Sequence, residues 1–429
     1  MIGFSTFLRR KNTPPFSIKS WFPPIIVYAL ISFFLCFADA IMSYIAPVEI
    51  ERHVSSELLM GMIISFSSFV GFFCDMFFAQ WFHGKTFVFF LFGVFATTFL
   101  FPLSFIAVPP WVPVLLFAMA IWGIYFELMK FSDFHFIHTV VHKDEHAKAW
   151  GLLESILSLA YFVGPLVATF LVSIHEDAPH YGALGFFAVA LFGFILFLQS
   201  YRLHHAPKEG DSLYVVPKKI STLQELRVWA VLWKKIWPLY MFIFTTILVD
   251  STFWTVGTLI SERLRETHIY GGLFLPMYTL PSLFMGLFAG KLARPFGKKR
   301  IAFISGGIAG LLLALCFIVE SALALILVVF FSSVFAAVAR PEIYATFEDY
   351  IARIGKSGND LIGLQNSAGS VAYIVGPVVA GALASVVGDR QTIGVMGLTL
   401  MSASFIALLV VPRKIQMPQK ELERIESLY

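Results

Sequence analysis

The chain has 429 residues, of which 58% are hydrophobic and 14% charged, with a net charge of +4. Soluble domains are typically about 45–50% apolar and about 25% charged, so a water-soluble globular chain is excluded, and a disordered one is excluded with it. The three cysteines, Cys36, Cys74 and Cys316, lie in separate apolar runs. They supply neither a disulfide framework nor a zinc site.

Apolar runs bounded by charge, proline or glycine predict membrane spans. In chain order they fall near 23–47, 58–82, 86–108, 112–138, 149–173, 181–200, 237–260, 269–292, 300–320, 322–347, 361–387 and 392–411. A spanning helix takes about 20 apolar residues, and these runs have that length. Barrel strands would be about 10 residues of alternating polarity. The expected fold is an all-α membrane protein with twelve transmembrane helices as two six-helix repeats. Its parts are an N-terminal bundle (1–200), a linker (201–236) and a C-terminal bundle with a short tail (237–429). Arg9, Arg10, Lys11 and Lys19 precede the first run. That run is too long for a cleavable signal core and lacks a small-residue cleavage site, so a retained helix is expected.

Nearly all 31 basic residues fall at the termini, in the linker or in the even-to-odd loops. The opposite side holds Arg52, Arg263, Arg265 and Arg390, and Lys130 lies inside a span. Positive charge accumulates on the cytoplasmic side, so both termini and the linker are expected there, in the plasma (inner) membrane. The linker lysines Lys218, Lys219, Lys234 and Lys235 suit ordinary topology charge, or contact with a partner or anionic lipid.

The halves repeat. Residues 151–165 read GLLESILSLAYFVGP and residues 363–377 read GLQNSAGSVAYIVGP, with nine of 15 positions identical at an offset of 212. Asp39 and Asp250 are offset by 211, as are Gly61 and Gly272. A duplicated six-helix unit with the ligand site between the copies is a transporter architecture.

In these features the chain resembles the major facilitator superfamily over nearly its whole length. The family has a loop motif, roughly G-x-x-x-D-R-x-G-R-K, after its second and eighth helices. Gly290, Arg294, Gly297, Lys298 and Lys299 match its spacing in the second half, with Arg294 at the acidic position, and the first copy keeps Gly84 and Lys85. Gly164–Pro165 and Gly376–Pro377 resemble the Gly-Pro of the fifth and eleventh helices of export members. The fifth helix continues Leu166, Val167, Ala168, Thr169, without the further glycines of the export pattern. Independently of the family, proline inside a helix kinks it and glycine lets a neighbour approach.

Charge inside a span is costly unless it faces a cavity or a partner. Asp39 lies about 22 Å along the first helix from Pro24, past the midplane, and Asp250 lies at matching depth. The resemblance implies that the first, fourth, seventh and tenth helices surround the cavity. Burial disfavours the charged form of a carboxyl, so Asp39, Asp250 and Glu127 are the proton-coupling candidates. Inert packing carboxyls are the alternative. Glu127, Lys130 and Asp133 follow at i, i+3 and i+6 on the fourth span, while the tenth has Arg340, Pro341 and Glu342. Lys130, Asp133, Arg340 and Glu342 are candidates for a gate pairing, for substrate contact or for a proton relay. Tyr161 and Tyr373 match across the repeat and either line the cavity or belong to the aromatic core. Trp122 and Trp254 fit core or lipid contact better. Glu154 matches Asn366, which stands beside Gln365, and packing or helix capping leads for these three. His135, His138, His142 and His146 form a stripe at the cytoplasmic mouth. A solvated helix end explains it better than a metal site.

No Gly-rich nucleotide loop, zinc signature or nucleophile–base set is present. The expected function is a secondary transporter moving a small solute by alternating access, proton-coupled, of drug-efflux or metabolite type. An uncoupled facilitator or a non-transporting receptor or scaffold is the alternative. The expected partners are a small-molecule substrate, protons and the bilayer, with no nucleic acid, no cofactor and a monomeric state.

Overall fold

The computed structural model describes residues 24–82, 85–106, 111–141, 146–204, 222–354 and 358–412, with 418 and 421. Arg9, Arg10, Lys11, Lys19, Gly84, His142, Lys218 and Lys219 lie outside the described residues. Backbone polar groups in hydrocarbon must be bonded within the chain, which leaves apolar runs only helices or closed barrels. Here they form α1 (Pro24–Val54), α2 (Glu57–Trp81), α3 (Phe87–Ile106), α4 (Val112–Val140), α5 (His146–Ile174), α6 (Ala178–His204) and α7 (Thr222–Phe253). There follow α8 (Val256–Thr267), α9 (Phe274–Thr279), α10 (Ser282–Ala293), α11 (Lys298–Ala314), α12 (Ala322–Ile354), α13 (Gly358–Val387) and α14 (Asp389–Val410).

Among the described residues, 11 helical stretches are long and apolar enough to cross a membrane, with α7 and α8 together forming one, Arg227–Thr267. The eighth expected span, 269–292, is built differently. A 3-10 turn at Gly271–Leu273 leads into the short helices α9 and α10. Pro276 and Pro281 fall in this stretch, and proline lacks the N–H that a continuous helix needs. Laid end to end, these pieces occupy the place of a twelfth crossing.

The seventh helix starts earlier than the sequence suggests. Residues 222–236, expected in the linker, are helical, with Lys234 and Lys235 exposed. Val228, Leu232 and Ile236 are buried at four-residue spacing. These three positions share one helix face, and that face docks the extension.

In the first half α1 packs on α2, α5 and α6, and α3 on α4 and α6. In the second, α7 packs on α13 and α14, and α11 on α12 and α14. The halves meet where α2 crosses α13, α1 meets α8 and α5 meets α9. The matched glycines sit at two of these crossings. A Cβ on Gly61 would lie 2.1 Å from the Pro377 carbonyl oxygen, and one on Gly272 would lie 2.4 Å from Thr169 Cγ2. Only hydrogen fits there, which is what close helix approach in a membrane requires. Large apolar side chains such as Phe117, Phe170, Phe192 and Leu409 face outward. Such a surface is matched by lipid rather than water.

Candidate functional site

A cavity of about 820 Å³ lies between the halves, inside the range of about 300–1,000 Å³ usual for small-molecule sites. Its walls come from α1, α2, α4 and α5 on one side, and from α7, α9, α10, α12 and α13 on the other. The charged residues on the wall are Glu127, Glu154, Asp250 and Arg340.

Each half holds its aspartate by the same joint. The Tyr161 hydroxyl of α5 donates to Asp39 of α1, and Trp122 Nε1–H of α4 donates to Asp39 Oδ1 at 2.7 Å. In the second half the Tyr373 hydroxyl of α13 donates to Asp250 Oδ2 at 2.6 Å, and that of Tyr278 to Oδ1 at 2.6 Å. The aspartate-to-tyrosine separations are 122 and 123 residues.

The Gly-Pro pairs make these joints possible. A Cβ on Gly164 would lie 2.4 Å from Ala40 Cβ, and one on Gly376 would lie 1.9 Å from Ser251 Oγ. Ala40 and Ser251 directly follow the two aspartates. Glycine therefore lets the helix close on the turn that carries the carboxylate, while the tyrosine three residues earlier bonds it. Pro165 and Pro377 lie inside α5 and α13, each removing one intrahelical bond.

The seventh helix breaks beside Asp250. Thr255 N–H bonds the Thr252 carbonyl at 3.2 Å, a tightened turn, before α8 resumes at Val256. The break brings Trp254 onto the cavity wall, with its ring 5.2 Å from that of Tyr161 in the opposite half.

The two joints differ in charge. Arg340 Nη2 lies 3.1 Å from Asp250 Oδ1 and compensates it. Asp39 receives only neutral donors, and no cation pairs with it among the described residues. It sits behind Trp122 and Tyr161, which themselves line the wall.

The remaining sequence candidates divide. Glu127 lines the wall; Lys130 does not, and is shared between Glu127 at 2.9 Å and Asp75 at 3.2 Å. Asp133 accepts from the Tyr28 hydroxyl at 2.7 Å, also off the wall. In this conformation these contacts stay inside one half. Glu342 is buried off the wall, because two residues from Arg340 is about 200° around a helix. Gln365 is buried and Asn366 exposed, and neither lines the cavity, whose first α13 residue is Gly369. Glu154, expected to pack or cap, lines it instead. Sequence reading missed Asp75 and Tyr278. Asp75 carries a usable signal, a charge inside a span; Tyr278 carries none.

The loop-motif residues lie away from the cavity. Lys85 Nζ sits 5.3 Å from the Phe89 ring centroid. Gly290 and Arg294 are exposed. Gly297 adopts φ +84° before α11, a conformation that favours glycine. Lys298 bonds Asp349 at 2.8 Å, and Lys299 bonds the Pro412 carbonyl at 2.6 Å. His135 is buried and stacks on Phe90 at 5.1 Å, while the His138 and His146 rings stand 6.1 Å apart. Among the described residues no three potential metal ligands converge.

At the other end of the molecule, ion pairs close the space between the halves. Arg263 of α8 pairs with Glu57 at 3.2 Å and Glu51 at 3.7 Å in the first half, and with Asp389 in its own. Arg52 reaches Glu262 at 3.4 Å and Glu266 at 4.0 Å. The Tyr44 hydroxyl donates to Glu262 at 3.3 Å.

A central cavity between two repeated helical bundles, with charged side chains on its wall, is the anatomy of a multi-pass membrane transporter. The sequence profile described as Major Facilitator Superfamily matches residues 134–358 and 239–427, and the chain belongs to that family. A search of curated proteins finds no match. Among solved structures, the chain is similar to a peptide transporter, POT, in complex with sulfate (11% identity, 94% and 95% of the two chains, TM-score 0.69). It is also similar to the nucleoside transporter NupG (11%, 90% and 99%, 0.68). A third is a bacterial homolog of the human lysosomal transporter Spinster, in an inward-facing and unoccupied conformation (14%, 92% and 98%, 0.68). Identities this low speak for the fold alone.

Proposed function

We propose that this protein is a proton-coupled secondary transporter that moves a small solute by alternating access, its halves rocking about the central cavity. The observation carrying the reading is the pair of repeated aspartate joints with unequal charge compensation. A buried charge without a partner costs several kcal/mol. A proton arriving at Asp39 removes that cost, whereas Arg340 already removes it at Asp250. Asp39 is therefore the coupling carboxyl. Asp250 holds Arg340 in place, and Glu127, on the wall, relays between Asp39 and the mouth.

The units that rock are 1–200 and 237–429, and the helical start at Thr222 extends the second unit into the expected 201–236 linker. The charge placement supports a reading in which the ion-paired end is on the non-cytoplasmic side. In this reading the cavity faces the cytoplasm, both termini lie there, and the chain works as a monomer in the plasma (inner) membrane.

The test is transport in proteoliposomes. Solutes that raise the melting temperature of the purified protein at two pH values are loaded with and without a pH gradient. Uphill accumulation that needs the gradient, with proton movement in step, is the expected result. Equal transport without a gradient, and no proton flux, would make the protein an uncoupled facilitator.

A further inference from the structure

The cavity wall carries negative charge that its own bases do not cancel. Arg340 is engaged with Asp250 at 3.1 Å. Lys130, off the wall, is shared by Glu127 and Asp75. Glu154 is left on the wall, exposed, and in neither a hydrogen bond nor an ion pair among the described residues. A cleft lined by one sign of charge with low-dielectric walls focuses its field and concentrates ions of the opposite sign. The same wall carries aromatic side chains, among them Trp254, Tyr161, Phe126 and Tyr344. Aromatic rings attract cations through their faces.

We propose that the cavity takes an organic cation, its charged group compensated by Glu154 and its apolar body lying against Trp254 and Tyr161. This rests on the transporter reading above and names its substrate class. An anion would meet an Arg340 charge that Asp250 already compensates, beside the Glu127 and Glu154 carboxylates on the same wall. A cation meets an open carboxylate and displaces no existing pair. The volume of about 820 Å³ leaves room for a drug-sized ring system beside the charge.

The experiment titrates the purified full chain with tetraphenylphosphonium and with tetraphenylborate, ions of nearly the same shape and opposite charge. Saturable binding of the phosphonium and none of the borate is expected. Glu154→Gln is expected to weaken the phosphonium by about tenfold, and Glu154→Asp to retain most of the affinity. Preference for the borate, or equal phosphonium affinity in the wild type and Glu154→Gln, overturns the assignment. Counterflow assays with the phosphonium, uridine and benzoate separate the two levels of the argument. Movement of uridine or benzoate without phosphonium binding removes the cation assignment and leaves a transporter. Movement of none removes both.

Discussion

Arg263→Ala tests whether the ion pairs at the closed end hold the conformation. The residue pairs across the interface with Glu57 at 3.2 Å and Glu51 at 3.7 Å, its side chain 52% exposed. Exposed pairs contribute about 0.2–1 kcal/mol each, so the two together hold about 0.4–2 kcal/mol. That corresponds to a rise of about 2- to 30-fold in the ratio of open to closed at this end. The substitution also leaves Glu51, Glu57 and Asp389 facing one another without a cation, which pushes in the same direction. The assay is electron–electron double resonance between spin labels at His53→Cys and His268→Cys, both exposed positions on opposite halves, with Cys36, Cys74 and Cys316 replaced. A longer-distance population should grow in the variant. Salt at about 1 M, where the screening length is about 3 Å, should reproduce part of that growth in the wild type. Arg390→Ala is the control, because Arg390 bonds the Val319 carbonyl within its own half. An unchanged distance distribution, or equal widening in the control, would refute the latch.

Three further outcomes follow from the joints. Asp39→Asn should retain solute exchange across the membrane and lose uphill accumulation; unchanged accumulation in a pH gradient would clear Asp39 of coupling. Arg340→Gln should lower the melting temperature, and adding Asp250→Asn should recover part of the loss. The cost stays below the about 3–5 kcal/mol of a fully buried pair, because the Arg340 side chain is 40% exposed. Gly376→Ala should cost about 1–3 kcal/mol by overpacking and lower the melting temperature. Gly290→Ala, where an added Cβ meets nothing within 4 Å, should leave it unchanged.

The all-helical membrane fold and the order of its long apolar helices were legible because a run of about 20 apolar residues has few alternatives in a bilayer. The matched pairs Asp39 and Asp250, Tyr161 and Tyr373, and Gly164 and Gly376 were legible because duplication keeps a packing joint together at nearly constant offset, 211 for the aspartates and 212 for the others. What each pair touches was not. That Gly376 rests on Ser251, and so beside Asp250, depends on helix crossing, which periodicity does not fix. The early start of α7 was hidden because Glu225, Arg227, Lys234 and Lys235 interrupt the apolar run around Val228, Leu232 and Ile236. Glu154 and Glu342 exchanged roles for a geometric reason: exposure to a cavity depends on rotation about the helix axis, and a charge count along the chain does not record it.

The unequal joints suggest how loading could reach the interface in the proposed mechanism. Each aspartate joint ties helices within one half, so it moves with that half and is not broken by rocking. Tyr161 has contacts on both sides of the boundary. Its hydroxyl serves Asp39, its ring meets Trp254, and its carbonyl accepts from Thr279 Oγ1 of the opposite half at 3.4 Å. Protonation of Asp39 weakens it as an acceptor for the Tyr161 hydroxyl, since a charged acceptor makes the stronger bond. The change arises on the residue that also packs against the other half and lines the cavity. Asp250 has no equivalent freedom, because Arg340 holds its charge whatever happens at the wall. In the proposed mechanism a duplicated scaffold thus carries a directional process: the joint is common to both halves, and the Arg340 guanidinium decides which half responds to a proton.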